Sequence, residues 1–280
     1  MIFQYDYPLF RPPAEANNLI LQVTLGCSYN KCSFCSMYKD KSFTIKKNLD
    51  IYKEIDILAN LYPNTIKIFL ADGDALAIPY MQLLEILQYL NKSFIKLRRI
   101  SLYATAQNIL NKTSLQLEEL SKNKLNLIYF GIESGEDIIL KKINKGINQS
   151  DLIKSLNKAS NANIKISATI ILGIGGKKYS NYHIKQTAYL INNTKINYLS
   201  TLELMLQTDE KKSFYQRFDD FIPLDILDIL KEQYNLLKSI KTINKIIFRS
   251  NHDSNSLHLS GTLPKDTNKL LEQIKNINII

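Results

Sequence analysis

Three cysteines fall within nine positions of this chain, at Cys27, Cys32 and Cys35, with the spacing C-x4-C-x2-C. Thiolates this close in sequence are more typical of metal sites than of disulfides, and an odd count leaves one cysteine over. A closed structural zinc site needs four ligands, and the next histidine along the chain is His183. A cubane iron–sulfur cluster held by three cysteines keeps one iron without a protein ligand. A small molecule can bind and react at that iron.

Three other distinctive segments each follow an apolar, strand-like run. They are Ala71-Asp72-Gly73-Asp74-Ala75, Glu133-Ser134-Gly135 and Gly173-Ile174-Gly175-Gly176. In parallel α/β barrels, reactive groups gather at the carboxyl ends of the strands. The cysteine loop also follows such a run, so the pattern predicts that these segments contribute to one site. An ordinary solvated turn is the alternative for each segment taken alone.

The elements that position these segments alternate between strands and helices. The predicted strands are 18–24, 65–71, 99–104, 125–132, 163–172 and 196–204, and the predicted helices are 49–61, 79–90, 114–121, 136–143, 149–162 and 182–192. Such alternation indicates βαβ units and a parallel sheet. The sequence therefore predicts an α/β fold, a partial (βα)6 TIM-type barrel.

The alternation ends near residue 205 in this interpretation. A helix over 224–240, a possible strand over 243–248, a polar loop over 251–262 and a last helix over 264–277 follow. We expect two domains: residues 1–205 as a core with a short N-terminal lead-in, and residues 206–280 as a mainly helical extension packed on the barrel.

Composition limits the function classes. An apolar fraction of 45% suffices for a full core, and no run of about 18 apolar residues predicts a membrane span. No signal peptide is visible at the N-terminus, so clustered thiols predict a reducing cytoplasm. The net charge of +10 suggests nucleic acid. However, only five of 36 basic residues are Arg and the Lys residues are dispersed, which favours a solvated surface.

Several stretches resemble the radical S-adenosylmethionine (SAM) superfamily, whose cysteines follow C-x3-C-x-aromatic-C. Phe34 fills the aromatic place, while the first gap has one extra residue. The stretches are 7–13, 22–30, 71–76, 129–135 and 260–264. Residues 18–205 resemble the core shared by elongator-type acetyltransferases, methylthiotransferases and oxygen-independent coproporphyrinogen oxidases, in a subgroup with the C-x4-C-x2-C motif. The resemblance implies a [4Fe–4S] cluster and SAM but no particular substrate.

The resemblance also implies roles for individual residues. Cys27, Cys32 and Cys35 would bind the cluster, and Phe34 would pack against adenine. Asp72-Gly73-Asp74 resembles the Gly-Gly-Glu-type motif, in which glycine admits the methionine moiety and a carboxylate pairs with its ammonium. The remaining expected contacts are Glu133 with ribose or ammonium, Gly173, Gly175 and Gly176 with adenine, and Ser167 and Thr169 inside the barrel.

Catalytic residues are less well indicated by the sequence. Glu133 and His252 are candidates, His252 because the polar segment 249–258 can fold over the barrel mouth and touch substrate. Tyr38, Arg11 and Glu15 flank the cluster strand and are further candidates. Exposed loop residues or helix-terminal carboxylates are the alternatives.

The absence of other cysteines narrows the expected chemistry. An auxiliary cluster cannot be built on Cys, and the 26 residues before Cys27 leave no room for a cobalamin domain. We expect one SAM, one 5′-deoxyadenosyl radical, one hydrogen atom removed from a small or macromolecular substrate, and a flavodoxin- or ferredoxin-type electron donor. The other hypotheses are an RNA-modifying radical SAM enzyme and a non-catalytic zinc or iron–sulfur module.

Overall fold

A computed structural model describes residues 5–277 of the chain. The first four residues of the predicted lead-in, where a signal peptide was judged absent, and the last three residues of the predicted extension lie outside the described residues.

The main sheet has eight strands and is mostly parallel. Its hydrogen-bonded order is β1 (Leu19–Gln22), β4 (Lys67–Ala71), β5 (Arg99–Tyr103), β6 (Leu125–Glu133), β7 (Lys165–Leu172), β8 (Tyr198–Glu203), β9 (Ile246–Ser250) and β10 (Leu259–Leu263). β9 and β10 pair antiparallel. A separate antiparallel pair joins β2 (Thr24–Leu25) to β3 (Thr44–Ile45). The predicted α/β class is confirmed.

Helices connect most of the parallel strands. They are α1 (Asn48–Leu61), α2 (Tyr80–Ser93), α3 (Ala106–Leu110), α4 (Ser114–Lys122), α5 (Asp137–Lys142), α6 (Gln149–Asn161), α7 (Gly176–Asn192), α8 (Thr208–Arg217), α9 (Ile226–Ser239) and α10 (Thr267–Lys275). Local sequence explains some of their ends: Thr113 and Gln116 form a reciprocal capping box at α4. The predictions missed α3 and α8, and α7 begins six residues before its predicted start.

The chain forms two compact units, which differ from the predicted domains. The first comprises Met1–Asn30, Met37–Phe130 and Lys158–Lys165, and the second Lys31–Ser36, Gly131–Asn157 and Ile166–Ile280. The boundary at residue 205 stays a prediction.

In the first unit, the lead-in is hydrogen-bonded to β1. The Asp6 amide donates to Gln22 Oε1 at 2.9 Å, and Gln22 Nε2 donates back to the Asp6 carbonyl at 3.0 Å. The Tyr5 hydroxyl donates to the Ile20 carbonyl at 2.8 Å. These bonds hold Tyr5 and Asp6 against the strand that precedes the cysteine loop.

In the second unit, the parallel alternation continues beyond residue 205. β9 runs parallel to β8, with Tyr198 paired to Ile247 and Ser200 to Arg249, so α9 completes a further βαβ crossover. The edge of β8 is thus covered by β9, and β9 by β10. β10 also occupies part of the expected polar loop over 251–262. The extension therefore contributes strands as well as helices.

Among residues 5–277, no helix has the length and apolar character needed to cross a membrane.

Candidate functional site

The three cysteines lie half-buried and, within residues 5–277, form no disulfide. Cys27 belongs to the first unit, and Cys32 and Cys35 to the second. No three His, Cys, Asp or Glu side chains of the described part of the chain are grouped to hold a single metal ion. A cubane cluster does not require such grouping, because each thiolate binds a different iron.

The cysteine loop is anchored in the first unit by its own polar residues. The Ser28 hydroxyl donates to the Asp74 carboxylate. Asn30 has a φ of +43°, a conformation that Asn tolerates better than most residues, and its Nδ2 donates to the Tyr38 carbonyl at 2.6 Å. Both anchors lie in the four-residue gap after Cys27, so the longer gap has a defined conformation.

Asp74 is fully buried and receives only neutral donors. Thr105 Oγ1 and Asn108 Nδ2 donate to its Oδ2 at 3.1 and 2.7 Å, beside Ser28. Its Oδ1 has no hydrogen-bond partner among the described residues. Burial raises the pKa of Asp74, while the three donors lower it. Among the described residues Asp74 forms no ion pair, although its charge opposes the lowering of the Lys112 pKa by burial.

Asp72 is also buried, but Lys41 compensates its charge. Lys41 Nζ lies 3.4 Å from Asp72 Oδ2 and donates to the Asp6 and Pro8 carbonyls at 2.8 Å each. Burial raises the pKa of Asp72, and Tyr38 and Lys41 lower it. The lead-in therefore fixes the lysine that neutralises this carboxylate.

Gly73, between the two aspartates, lies directly against the Tyr38 ring. A Cβ on Gly73 would approach Tyr38 Cε2 to 2.5 Å, so only glycine fits there without a shift. Tyr38 is 5% exposed and packs edge-on against Phe10, with ring centroids 5.3 Å apart. Burial and then the Asp72 charge raise the Tyr38 pKa. Tyr38 therefore forms part of the wall beside the acidic turn.

Glu15, from the lead-in, is fully buried in a network of donors. Arg99 Nη2 and Ser101 Oγ donate to its Oε1 at 2.8 and 2.9 Å, and the Tyr129 hydroxyl donates at 2.6 Å. This network joins the lead-in to β5 and β6. Arg11, by contrast, is exposed and donates to the Asn18 carbonyl at 3.4 Å.

Glu133 ends β6 in the second unit, and its charge is compensated. Its φ is +61°, and Lys145 Nζ lies 2.8 Å from its Oε1. Burial lowers the Lys145 pKa, but the charges of Glu133, Cys32 and Cys35 outweigh burial and raise it. The pair thus lies within the electrostatic field of two predicted cluster ligands.

The glycine turn after β7 is held by α9. The Gly173 amide donates to Glu232 Oε2 at 2.7 Å, and a Cβ on Gly173, whose φ is +77°, would meet Ile229 Cδ1 at 2.7 Å. Burial raises the pKa of Glu232 to about 7. A Cβ on Gly175 would meet Ile139 at 2.9 Å. Close packing by the extension therefore accounts for Gly173.

The predicted hydroxyls of β7 lie on a half-buried sheet face. Ser167 and Thr169 alternate with buried residues, and Thr169 pairs with Ser200 of β8. Ser200 in turn pairs with Arg249 of β9. The opposite face carries Thr201, which donates to Gln233 of α9 at 2.7 Å. Ser167 and Thr169 therefore face away from α9, and their position inside a barrel stays a prediction.

The segment after β9 bonds to the carboxyl end of β8. Asn255 Nδ2 donates to the Thr201 carbonyl at 2.7 Å, and Ser256 donates to Glu203 through its amide at 2.6 Å and its hydroxyl at 2.8 Å. His252 is exposed, and its Nδ1 accepts from the Ser254 amide at 3.1 Å. The segment thus lies at the strand end expected for a substrate role, while His252 itself makes a local turn.

A cavity of about 330 Å³ lies beside this strand end within the second unit. Its walls include Gly173, Glu203, Lys211, Tyr215 and Ile229. The volume suits a small organic molecule, and apolar side chains dominate the remaining wall.

Sequence reasoning missed several residues that shape these groups. They are Ser28, Thr105, Asn108, Lys41, Lys145, Glu232 and Asn255. Thr105 was detectable as an N-cap before α3, because its side chain accepts from the Asn108 amide. The others are ordinary polar residues whose roles depend on contacts distant in sequence.

The donor set fits the cofactors that the sequence implies. The number of half-buried thiols, three, equals the number of protein ligands of a four-iron cluster with one open iron. Asp74 Oδ1, buried and without a partner in the described part of the chain, is suited to accept from an ammonium group. Phe34, adjacent to Cys35, is half-buried.

The chain is similar to a known protein family over more than half of its length. The family model described as the radical SAM superfamily matches residues 21–187. No curated protein sequence matches the chain.

Solved structures share the fold at low sequence identity. Coproporphyrinogen III oxidase HemN from Escherichia coli has a TM-score of 0.59 and 14% identity, covering 80% of this chain and 52% of its own. The hydrogenase maturase HydG from Carboxydothermus hydrogenoformans gives 0.53 and 17%, covering 91% and 56%. The methyltransferase TsrM from Kitasatospora setae, solved with cobalamin and a [4Fe–4S] cluster, gives 0.54 and 13%, covering 66% and 36%.

The chain thus spans about half of HemN and HydG and about a third of TsrM. Since the family model covers more than half of the sequence, this chain belongs to the radical SAM superfamily.

Proposed function

We propose that the chain binds one [4Fe–4S] cluster through Cys27, Cys32 and Cys35 and uses it to cleave SAM. With both bound, one electron from the cluster breaks a carbon–sulfur bond of SAM, giving methionine and a 5′-deoxyadenosyl radical that removes a hydrogen atom from the substrate. An external donor would return one electron to the cluster after each cleavage. A flavodoxin- or ferredoxin-type protein is the proposed donor.

The observation that carries this proposal is the buried carboxyl group of Asp74, which forms no ion pair and has a free Oδ1 in the described part of the chain. Ser28, next to Cys27, donates to it, so the acidic turn and the cysteine loop are tied together. Three donors hold Oδ2 and leave Oδ1 for a ligand. A charged ammonium group satisfies both the missing hydrogen bond and the missing charge. Asp74, rather than Asp72, is therefore the proposed partner of the SAM ammonium.

Other residues are proposed to position SAM and to exclude water from its site. Gly173 and Gly175, fixed by α9 and by Ile139, are proposed to line the adenine site, and Phe34 to pack against its face. Ser167 and Thr169 offer hydroxyls that can orient SAM or substrate. Glu133 is proposed to reach the ribose when its pairing with Lys145 is shared with the ligand.

The experiment is anaerobic reconstitution followed by iron, sulfide and zinc analysis, with optical and electron paramagnetic resonance spectra before and after SAM. We expect four irons per chain, a spectral change with SAM, and 5′-deoxyadenosine after reduction. Replacing any one of the three cysteines by Ala should abolish the visible band, and Ser36→Ala, in the same loop, should keep it.

Two results would redirect the assignment. Zinc without iron or sulfide would support the non-catalytic module, and a triple cysteine variant with four irons would exclude these ligands. Tight RNA binding with a steep salt dependence would support the RNA-modifying hypothesis.

A further inference from the structure

The turn between α5 and α6, residues 143–145, is hydrogen-bonded to the cysteine loop on both sides of Cys32. The Ser33 amide donates to the Ile143 carbonyl at 2.9 Å. On the other side, Asn144 Nδ2 donates to the Lys31 carbonyl at 2.8 Å. Neighbouring residues of the turn thus fix the backbone immediately before and after one predicted cluster ligand.

The residue types in the turn suit this role. Asn144 has a φ of +54°, which Asn adopts more readily than most residues. Lys31, whose carbonyl Asn144 binds, lies in the four-residue gap between Cys27 and Cys32. Ile143 is fully buried, so the turn rests on packed structure. The longer gap therefore has a partner outside the cysteine loop.

The next residue of the turn adds a charge. Lys145 Nζ is only 18% exposed in its side chain and pairs with Glu133 at 2.8 Å. Lys145 directly follows Ile143 and Asn144, which are hydrogen-bonded to the cysteine loop. The ion pair therefore lies beside the segment that carries Cys32 and Cys35. Both partners are largely withdrawn from solvent, so water screens their fields less than at the surface.

We propose that the turn formed by Ile143, Asn144 and Lys145 has two roles. It fixes the backbone that carries the second and third cluster cysteines, and its Lys145–Glu133 ion pair sets the reduction potential of the cluster. This inference rests on the proposed cluster. Asn144 is a positioning residue, acting through the loop backbone. Lys145 and Glu133 act through their charges.

The signs of the two charge effects follow from electrostatics. Reduction adds one negative charge to the cluster, so a nearby cation favours the reduced state and a nearby anion opposes it. Removing Lys145 also leaves Glu133 uncompensated, so both effects then act in the same direction. Removing both charges should restore a value near that of the native pair.

The test of the charges is an electron paramagnetic resonance redox titration of the reconstituted full chain without SAM. Lys145→Met should lower the equilibrium constant for reduction about tenfold, equivalent to about 59 mV for one electron. Glu133→Gln should raise it several-fold, and the double variant should fall between them. Lys141→Met removes an exposed lysine of α5 and should change the constant less than about twofold.

The test of positioning uses Asn144→Gly, which keeps the positive φ and removes only the side-chain bond. We expect unchanged circular dichroism and about tenfold faster loss of iron to a chelator, the size typical for residues that orient metal ligands. Asn144→Asp, which cannot donate to the Lys31 carbonyl when ionised, should lose iron similarly.

In the redox titration, Lys145→Gln replaces Lys145→Met if the Lys145→Met variant fails to fold.

Failure of the inference and failure of the proposed function are distinguishable. A wild-type chain that assembles no four-iron cluster overturns the proposed function, and the inference with it. A wild-type chain with a normal cluster, but with Lys145 and Asn144 variants matching it in potential and iron retention, overturns the inference alone.

Discussion

Both units contain buried carboxylates in the same two kinds of environment, one with a cationic partner and one with neutral donors. In the first, Asp72 faces Lys41 at 3.4 Å, while Asp74 has three neutral donors and, among the described residues, no ion pair. In the second, Glu133 faces Lys145 at 2.8 Å, while Glu232 is bound by the Gly173 amide. Each unit thus carries, near a predicted cofactor segment, a carboxyl group held in an ion pair and a carboxyl group bound by neutral donors.

The difference between the two kinds is energetic. A buried carboxylate paired with a cation remains ionised, because attraction offsets its lost hydration. One with neutral donors alone is favoured as the acid until a cation arrives. Compensated groups therefore support structure, and uncompensated groups are available to bind a cationic ligand or a proton.

The largest expected effect breaks a compensated pair. Arg99→Met should destabilise the protein by about 4 kcal/mol, because Glu15 is fully buried and would lose its only cationic partner in the described region. Urea unfolding of the apo chain measures this. Arg98→Met, at an exposed neighbouring residue, is the control and should cost less than about 1 kcal/mol. Equal losses of unfolding free energy in the two variants would show that the Glu15–Arg99 pair does not stabilise the protein more than an exposed arginine does.

The next effect separates the two aspartates. Asp74→Asn should weaken SAM binding about 50-fold, because the neutral amide cannot compensate an ammonium charge. Asp72→Asn should weaken it less than about threefold, since Lys41 already neutralises that group. Equilibrium dialysis with reconstituted protein measures both constants. The reverse order would assign the ammonium to Asp72.

Sequence patterns were sufficient to predict the six core strands and a strand near β9, but they did not predict β10 or the parallel pairing of β9 with β8. Apolar runs predict β1 and β4 to β8 because each is buried on at least one face. The βαβ crossover to β9 contains α8 and an irregular segment over 218–225, so its periodicity is interrupted. β10 was missed because Ser260 and Thr262 lower its apolar character while backbone pairing to β9 stabilises it.

The same limit applies to the candidate site. Cysteines and an acidic turn are recognisable by residue type and spacing. Whether Asp72 or Asp74 is compensated depends on Lys41, which reaches the turn across 31 positions. The Glu232 contact with Gly173 spans 59 positions. Such pairings are set by tertiary packing, which one sequence does not encode in a local pattern.

A third effect tests whether Glu232 is uncompensated. Its pKa is raised to about 7, mainly by burial, so the folded protein binds a proton that the unfolded chain releases near pH 4.5. This contribution is fully present below that pH and is lost as pH rises through about 7. Between pH 5 and 7 we expect a loss of about 2 kcal/mol.

Urea unfolding of wild type and Glu232→Gln across that range measures this contribution. The amide keeps a neutral acceptor for the Gly173 amide, so the difference between the two proteins should vary with pH as stated. A difference independent of pH would mean that Glu232 is ionised throughout.

The smallest effect has the opposite sign and comes from a buried histidine that forms no ion pair within residues 5–277. His183 is 1% exposed, and its Nδ1 lies 2.8 Å from the Ser134 hydroxyl beside Glu133. Burial lowers the His183 pKa to about 4. Between about pH 4 and 6.5, the unfolded chain therefore binds a proton at His183 that the folded protein does not bind. Stability is full above about pH 6.5 and falls as pH drops toward 4.

Between pH 6.5 and 5 this loss should reach about 1.5 kcal/mol. His183→Asn, which keeps a neutral polar group near Ser134, should remove the dependence, while His252→Asn, at an exposed site, should leave it unchanged. Because Glu232 and His183 titrate with opposite signs over overlapping ranges, the wild-type profile alone would be nearly flat near pH 5 to 6.5. A steep acid loss in Glu232→Gln and a steep alkaline loss in His183→Asn would therefore establish both groups, and parallel profiles in the two variants would contradict the assignment of neutral partners to either.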